Sequence, residues 1–389
     1  MSSEGAPAPS PAKRTLKSRR TVAGTIASAL VAFVGVMLLG AAAFMMVIDE
    51  RTHEFRPSGQ AKLSERDGLR TLNIAGGRID LIYSADDFSL PPAVLVRWIR
   101  EAAIATSTYF GRFPVRRVVI RLSAVSGDDV VSGSATAEPD PSIVLSIGRH
   151  ISERTLFADS TAVHEMTHLG IPDHAERYLW FHEGIATYVE TVARAQSGFI
   201  TAEQAWGELT YGMASGIAEG DDEQGLDHTE FWDRRYWGGA IFFLMADVEI
   251  RQRTAGRYGL QDALRSLQSA GGDLAAHWDF ERILRTADNG LGIDVLQRLY
   301  RSHARRGAPN LINAEVLAKL YRDLGVAPRR SHYAQLDDRA PLATIRRSIM
   351  SKPSEPLLII GPRQVMGGQQ SQSRTSSWSV KLRLPEVAR

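Results

Sequence analysis

Two histidines four residues apart are the first residues whose spacing predicts chemistry. His164 and His168 flank Glu165 in the sequence HEMTH, an H-E-x-x-H pattern. On a helix, imidazoles at this spacing lie on one face, where they can share a zinc ion. Glu165 then lies beside the metal and acts as the base for metal-bound water. A solvated surface helix is the alternative interpretation of the same five residues.

A zinc hydrolase needs a third protein ligand and a fourth position for water. Glu183 lies in the segment WFHEGIATY, where Phe181 and Ile185 belong to an apolar stripe on the opposite face of a helix. His174 is the rival, because it has the offset of the last histidine in the pattern H-E-x-x-H-x-x-G-x-x-H. Ile171 stands where that pattern requires glycine. We therefore favour Glu183 as the third ligand.

Composition excludes several other kinds of site. The chain of 389 residues has 46 Lys and Arg against 44 Asp and Glu, with no long internal basic run, so no nucleic-acid partner is predicted. It contains no cysteine, which excludes disulfides, thiolate zinc ligands and a thiol nucleophile. With 44% hydrophobic and 23% charged residues, it is ordinary globular material. Any metal must therefore be held by histidines and carboxylates.

The elements that must position these residues form an α+β arrangement, a small sheet followed by a helical half. β-Branched runs predict strands at 70–75, 79–83, 115–122 and 143–147. Apolar periodicity and its breaks predict helices at 91–110, 155–169, 178–196, 238–253, 260–269, 279–287, 291–305 and 313–324. The two parts of the proposed metal site lie on the second and third of these helices.

The N-terminal region predicts a membrane anchor. Residues 21–48 carry no charge, and about 20 such residues suffice to cross a bilayer as a helix. Basic residues precede this run, so the positive-inside rule places the N-terminus in the cytoplasm and the rest of the chain on the extracytoplasmic side. A cleaved signal peptide ending near residues 41–43 is the alternative. The run exceeds the ~7–15 residues usual for a signal peptide, which favours the anchor.

Four motifs together resemble the gluzincin metallopeptidases, in particular the glycyl aminopeptidase-like family and more distantly the aminopeptidase N family. They are YFGRFP followed by VRRVVIRL, then HEMTH, WFHEGIATY, and YWGGA with the segment after it. The resemblance covers roughly residues 103–325 and implies a thermolysin-like zinc peptidase domain. It implies His164, His168 and Glu183 as ligands of one Zn²⁺ per chain. Glu165 is then the base, and Tyr236 the phenol that stabilises the oxyanion.

Two departures from the family pattern affect the predicted activity. The region SGSATAEPDPSIVLS contains no G-x-M-E-N-like segment, which in the exopeptidases supplies the carboxylate that holds the substrate's free amine. Aminopeptidase and endopeptidase activity therefore both stay open, with Glu138 as the candidate substitute for that carboxylate. Gly238 replaces the basic residue that follows the family's tyrosine. By analogy, the strand at 143–147 is expected to bind an extended substrate at the sheet edge.

The resulting domain plan begins with a disordered cytoplasmic tail, followed by the anchor and a juxtamembrane linker. The peptidase-like domain comes next, and a flexible tail follows it. The predicted boundaries are 1–20, 21–48, 49–68, 69–330 and 331–389.

The predicted function is a membrane-anchored zinc peptidase that hydrolyses peptides or proteins outside the cytoplasm. A non-catalytic, membrane-tethered module that binds a peptide or protein is the alternative. A metal hydrolase acting on another substrate ranks below both, since the sequence has no recognisable phosphate cradle. The sequence leaves the oligomeric state undetermined.

Overall fold

The computed structural model describes residues 67–217, 225–227, 229, 231–305, 312–329 and 333–353. The predicted tail, transmembrane helix and nearly all of the juxtamembrane linker, residues 1–66, lie outside this part of the chain. Among the helices that are described, none combines the length and apolar character that a membrane span requires.

A five-stranded mixed sheet forms the first half of the described chain. Its strands are β1 (Asp67–Ile74), β2 (Gly77–Ser84), β3 (Arg117–Val125), β4 (Val130–Thr136) and β5 (Ser142–Gly148), in the order β1-β2-β3-β5-β4. The β1–β2 and β4–β5 pairs are antiparallel, and β3 runs parallel to both β2 and β5. In β3, Val118, Ile120 and Leu122 alternate with more exposed residues and point into the core.

The sheet edge differs from the sequence-based expectation. The strand predicted at 143–147 lies inside the sheet, between β3 and β4, so it cannot accept an added strand. The edge on this side of the sheet is β4, which was not predicted from the sequence because VVSGSAT is rich in small polar residues. Those residues suit a strand that is exposed along much of its length.

The second half of the described chain is helical. One further helix, α1, comes earlier, between β2 and β3 in the sequence. The helices are α1 (Pro92–Phe110), α2 (Glu153–Ala158), α3 (Thr161–His168), α4 (Leu179–Gln196), α5 (Ala202–Met213), α6 (Gly239–Arg253), α7 (Leu260–Ser269), α8 (Phe280–Leu291), α9 (Val295–Leu299) and α10 (Ala314–Leu324). A π-helical turn, Arg234–Gly238, leads into α6, and another, Tyr300–Ala304, follows α9. The predicted α+β plan, a small sheet and then a helical half, is confirmed.

Two glycines bring α4 and the start of α6 into close contact. A Cβ atom on Gly184 would lie 2.5 Å from the Cα atom of Gly239. A Cβ atom on Gly239 would lie 2.5 Å from the carbonyl oxygen of Trp180. Neither position therefore tolerates a side chain without moving the backbone of the other helix. This contact holds the π-helical turn before α6 against the first turns of α4.

The folded chain continues beyond the predicted boundary at residue 330. Strands β6 (Val326–Pro328) and β7 (Ala334–Leu336) pair with each other, and helix α11 (Ala343–Met350) follows. Arg346 on α11 is buried and donates to the carbonyl oxygens of Leu324 and Gly325. The polar sequence predicts a flexible tail, but this arginine binds backbone carbonyl groups inside the fold. Residues 354–389 of the predicted tail lie outside the described chain.

Candidate metal centre

Helix α3 carries the two histidines and the glutamate of the H-E-x-x-H pattern. Ala162 and Met166 on this helix are buried, so the helix is anchored by one side. His164, Glu165 and His168 belong to the same eight-residue helix. The sequence predicts a single helix over 155–169, whereas the helix is interrupted at Asp159 and Ser160, immediately before α3.

Helix α4 brings Glu183 to these histidines. Its Oε2 atom lies 3.1 Å from Nε2 of His164 and 3.7 Å from Nε2 of His168. The three ligand atoms all lie within 4.8 Å of one another. Two ligands of a tetrahedral zinc ion, each ~2.0–2.2 Å from the metal, are ~3.4 Å apart. The residues present therefore fit a zinc ion in both chemistry and spacing.

The second nitrogen of each histidine is held by the protein. Nδ1 of His164 lies 2.7 Å from Oε2 of Glu190, and Nδ1 of His168 lies 2.9 Å from Nδ1 of His182. Both Nε2 atoms consequently face Glu183. Partners of this kind fix the ring orientation and tautomer of metal-ligating histidines. Sequence reasoning missed Glu190, although it lies seven residues after Glu183, two turns along the same helix face.

The charges at the site favour a cation. Burial lowers the pKa of His164, but its hydrogen bonds with Glu183 and Glu190 outweigh burial and hold that pKa well above its usual value. The pKa of His168 lies well below the usual value because the ring is buried and faces His164. Two carboxylates thus stabilise positive charge at His164, while His168 stays neutral, as a metal ligand must be.

Glu165 lies against the edge strand of the sheet. It is 6% exposed and accepts a hydrogen bond from the backbone of Ala135 in β4. A Cβ atom on Gly133 would lie 2.5 Å from Cγ and Oε1 of Glu165. Burial raises the pKa of Glu165 to about 7, with Glu183 and Glu190 contributing in the same direction and His164 opposing them. The carboxyl group can therefore both accept and release a proton near neutral pH.

Tyr236 covers the site from the π-helical turn before α6. Its ring stacks on His164, with the centroids 5.8 Å apart and an interplanar angle of 16°. Its hydroxyl is hydrogen-bonded to Glu183. Burial and the neighbouring carboxylate raise the pKa of Tyr236, so the hydroxyl keeps its proton and remains a donor. π-Helical turns of this kind are frequent at functional sites.

The other two sequence candidates lie apart from this group. His174, the rival third ligand, is buried beyond His182, with the two ring centroids 5.2 Å apart, and is not among the three converging ligands. Glu138 is exposed in the loop that follows β4. The described residues thus bring together Glu165, Tyr236 and the three predicted ligands, and leave His174 and Glu138 outside.

Comparison with solved structures shows a shared fold. The chain is similar to an aminopeptidase N family protein from Idiomarina loihiensis, with a TM-score of 0.50 and 17% identity over 67% of this chain and 49% of that chain. An M1 zinc metallopeptidase from Deinococcus radiodurans matches with a TM-score of 0.41 and 17% identity over 63% and 54% of the two chains. The chain spans about half the length of the Idiomarina protein. Neither a protein-family profile nor a curated protein matches the sequence.

At 17% identity, the similarity to the Idiomarina protein concerns the fold alone. The mixed α+β domain, with its small sheet followed by helices, is the arrangement predicted from the sequence. What the chain does must therefore be argued from the side chains at its own site.

Proposed function

We propose that this protein is a membrane-anchored, zinc-dependent peptidase. The observation that carries the proposal is the convergence of Nε2 of His164, Nε2 of His168 and a carboxylate oxygen of Glu183 beside the buried Glu165. Two histidines and a glutamate are a ligand set that zinc peptidases use. They leave the fourth position to water and the substrate.

The reaction assigns separate tasks to the surrounding residues. A zinc ion held by the three ligands would lower the pKa of a coordinated water toward ~7 and polarise the scissile carbonyl. Glu165 accepts the proton from the attacking water and later delivers it to the leaving amine. The Tyr236 hydroxyl donates a hydrogen bond to the carbonyl oxygen as negative charge develops there. Glu190 and His182 keep the ligand imidazoles in place.

A peptide in extended conformation suits the surface beside the metal centre. The outer edge of β4 runs past Glu165, and an exposed edge can pair with an added strand. Phe231 is 72% exposed and Trp232 is 46% exposed, and the Trp232 ring lies 5.5 Å from that of Tyr236. These aromatic rings favour substrates with apolar side chains near the cleaved bond.

The membrane anchor belongs to the same proposal. It is supported by the uncharged run at residues 21–48 and by the basic residues that precede it. With the N-terminus in the cytoplasm, the catalytic domain lies on the extracytoplasmic side and acts on peptides or proteins there. Accessibility of the N-terminus and of the domain to added protease, in intact and permeabilised cells, tests this topology.

Metal analysis and peptide hydrolysis by the full-length protein in detergent test the enzymatic proposal. Wild type, Glu165→Gln and the exposed-site control Glu176→Ala should each hold about one zinc per chain, whereas Glu183→Ala should hold none. Only wild type and the control should cleave a peptide library. Zinc without cleavage in wild type would contradict the proposal and favour a metal hydrolase acting on another substrate. Folded wild type without zinc would contradict it and favour the binding module.

The same library separates two modes of cleavage. Each peptide is supplied with a free and with an acetylated N-terminus. Cleavage that requires the free amine identifies an aminopeptidase, whereas equal cleavage of both forms identifies an endopeptidase.

A further inference from the structure

Three histidines form a row that begins at the metal ligand His168. Nδ1 of His182 lies 2.9 Å from Nδ1 of His168, and the two rings stack with centroids 4.8 Å apart and an interplanar angle of 13°. The ring of His174 meets that of His182 edge-on, with the centroids 5.2 Å apart. The row therefore leads from the metal centre into the interior of the helical half.

Metal binding determines the position of the proton on the first two rings. His168 can ligate through Nε2 only when its proton is on Nδ1. That Nδ1–H then donates to Nδ1 of His182, so the proton of a neutral His182 ring must be on Nε2. Because Nδ1 of His182 accepts this bond, it carries no proton, and the ring is neutral. Nε2 of His182 is consequently a donor.

His174 presents the matching acceptor. Its Nδ1 lies 3.2 Å from the carbonyl oxygen of Ala175. Because a carbonyl oxygen can only accept a hydrogen bond, this Nδ1 carries the proton and donates. Burial lowers the pKa of His174, so its ring is neutral and its Nε2 carries a lone pair. The Nε2 atoms of His174 and His182 are both buried, and neither has a hydrogen-bond partner within the described chain. One is a donor, the other an acceptor, and their rings are adjacent.

We propose that His182 and His174 are positioning residues of the metal centre. Their tautomers follow one order along the row, in which each ring donates toward the next, from His168 to His182 to His174. The donor at Nε2 of His182 and the acceptor at Nε2 of His174 are not hydrogen-bonded to each other in this structure, and their attraction as adjacent buried groups holds His182 where it accepts from His168. This inference rests on the proposed metal site, but it concerns residues that do not touch the metal. Losing an outer partner of a metal-ligating histidine typically weakens metal affinity ~10–100-fold.

A role in packing alone is the rival explanation for His174. Three aromatic rings surround it, those of Tyr178, Phe181 and Phe280, with centroids 5.8 to 6.1 Å away. If packing were its only role, His174→Phe would fill the same space and leave metal affinity unchanged. The proton order instead requires the acceptor at Nε2, which phenylalanine lacks.

A double-mutant cycle on zinc affinity distinguishes these explanations. The full-length protein is titrated with zinc against a competing chelator, as wild type, His182→Phe, His174→Phe and the double variant. We expect His182→Phe to weaken binding ~10–100-fold and His174→Phe to weaken it several-fold. The double variant should bind no more weakly than His182→Phe alone, because the row is already interrupted. His182→Asn, whose amide oxygen can accept from His168, should recover most of the affinity.

Controls separate failure of this inference from failure of the metal site. Circular dichroism confirms that each variant is folded, and the exposed His277→Asn should bind zinc like wild type. Folded His174→Phe with wild-type affinity, or additive effects in the double variant, would overturn the histidine row and leave the metal site standing. Folded wild type without zinc would overturn both.

Nitrogen chemical shifts of the imidazoles give a second readout that packing alone would not produce. In the zinc-loaded protein labelled with ¹⁵N at histidine, His182 should carry its proton on Nε2 and His174 on Nδ1. The variants assign the signals among the ten histidines of the chain. A proton on Nδ1 of His182 or on Nε2 of His174 would contradict the proposed order.

Discussion

Gly133 determines how closely the edge strand approaches the proposed base. A Cβ atom at this position would lie 2.5 Å from Cγ and Oε1 of Glu165, closer than packed atoms come. Glu165 is buried on α3 and has little room to withdraw. An added methyl group must therefore displace either the strand or the carboxylate.

Gly133→Ala should reduce peptide hydrolysis at least ~100-fold, because a displacement of about 1 Å from the reactive geometry has an effect of this size. Zinc content should stay at the wild-type level, since the three atoms nearest to the added Cβ all belong to Glu165, which is not one of the proposed ligands. Gly68→Ala is the matched control, because there a Cβ atom would lie 3.4 Å from the nearest atom, in ordinary contact. Steady-state kinetics and metal analysis of both variants test this, and an active Gly133→Ala variant would refute the steric argument.

Tyr236 acts, under the same mechanism, only when charge develops on the carbonyl oxygen. Tyr236→Phe keeps the ring that stacks on His164 and removes the hydroxyl. We expect kcat to fall ~10²–10³-fold with little change in KM, the usual effect of losing one oxyanion donor. A raised KM at unchanged kcat would instead assign Tyr236 to substrate binding.

The residues of the site differ in how visible they are in the sequence. His164, Glu165 and His168 follow from spacing, because a helix fixes the relation between positions four apart. Glu190 could have been found by the same logic, since it lies two turns after Glu183. Gly133 could not, because its relation to Glu165 exists only when β4 lies beside α3.

At the scale of elements, a partly buried carboxylate marks the break between α2 and α3. Asp159 accepts hydrogen bonds from the backbone nitrogen of Thr161, at 2.8 Å, and from its hydroxyl, at 3.2 Å. Burial raises the pKa of Asp159 to about 6, and the charge of Glu190 adds to this, whereas the two bonds to Thr161 and the charge of Arg194 oppose it. The folded protein therefore binds the Asp159 proton more tightly than the unfolded chain does.

The free energy of unfolding should accordingly fall as pH rises between about 4 and 6, because the unfolded chain releases this proton first. At about 1.4 kcal/mol per pH unit, the contribution of Asp159 is on the order of 2–3 kcal/mol and is constant above pH 6. In Asp159→Asn, the amide oxygen still accepts a hydrogen bond from Thr161. The pH-dependent contribution disappears, because the amide does not ionise. Urea unfolding should show the variant gaining stability over wild type from pH 4 to 7, and a difference independent of pH would contradict this.

The hydrogen bond from the Thr161 backbone to Asp159 explains why the sequence predicts one helix where the structure has two. A side chain that accepts from the backbone two residues later competes with helical hydrogen bonding, and the sequence alone does not reveal which interaction prevails. Helix α5 was missed although Thr201 and Gln204 form a reciprocal cap at its start, a pattern that is readable from the sequence. Strand β4 offered no such signal, because its residues neither alternate clearly nor favour strands.

At the scale of the whole molecule, a buried carboxylate connects four helices. Asp247 on α6 is fully buried and accepts from Tyr188 on α4, from Arg251 on its own helix and from the backbone nitrogen of Leu260 on α7. Arg251 in turn donates to Ser348 on α11. The helix that carries Glu183 is thereby tied to the C-terminal helix, which the sequence analysis placed in a flexible tail.

Asp247→Ala should lower the free energy of unfolding by about 3–5 kcal/mol, because it leaves the buried charge of Arg251 without its partner. Asp294→Ala is the matched control. It also removes an ion-pair partner from an arginine on α6, Arg253, but this pair is exposed to solvent. No resolvable change in the free energy of unfolding is therefore expected. Tyr188→Phe removes one hydrogen bond to Asp247, and its loss of unfolding free energy should lie between those of the other two variants. Denaturant unfolding of the metal-free proteins tests this order. Equal stability of Asp247→Ala and Asp294→Ala would mean that apolar packing alone joins these helices.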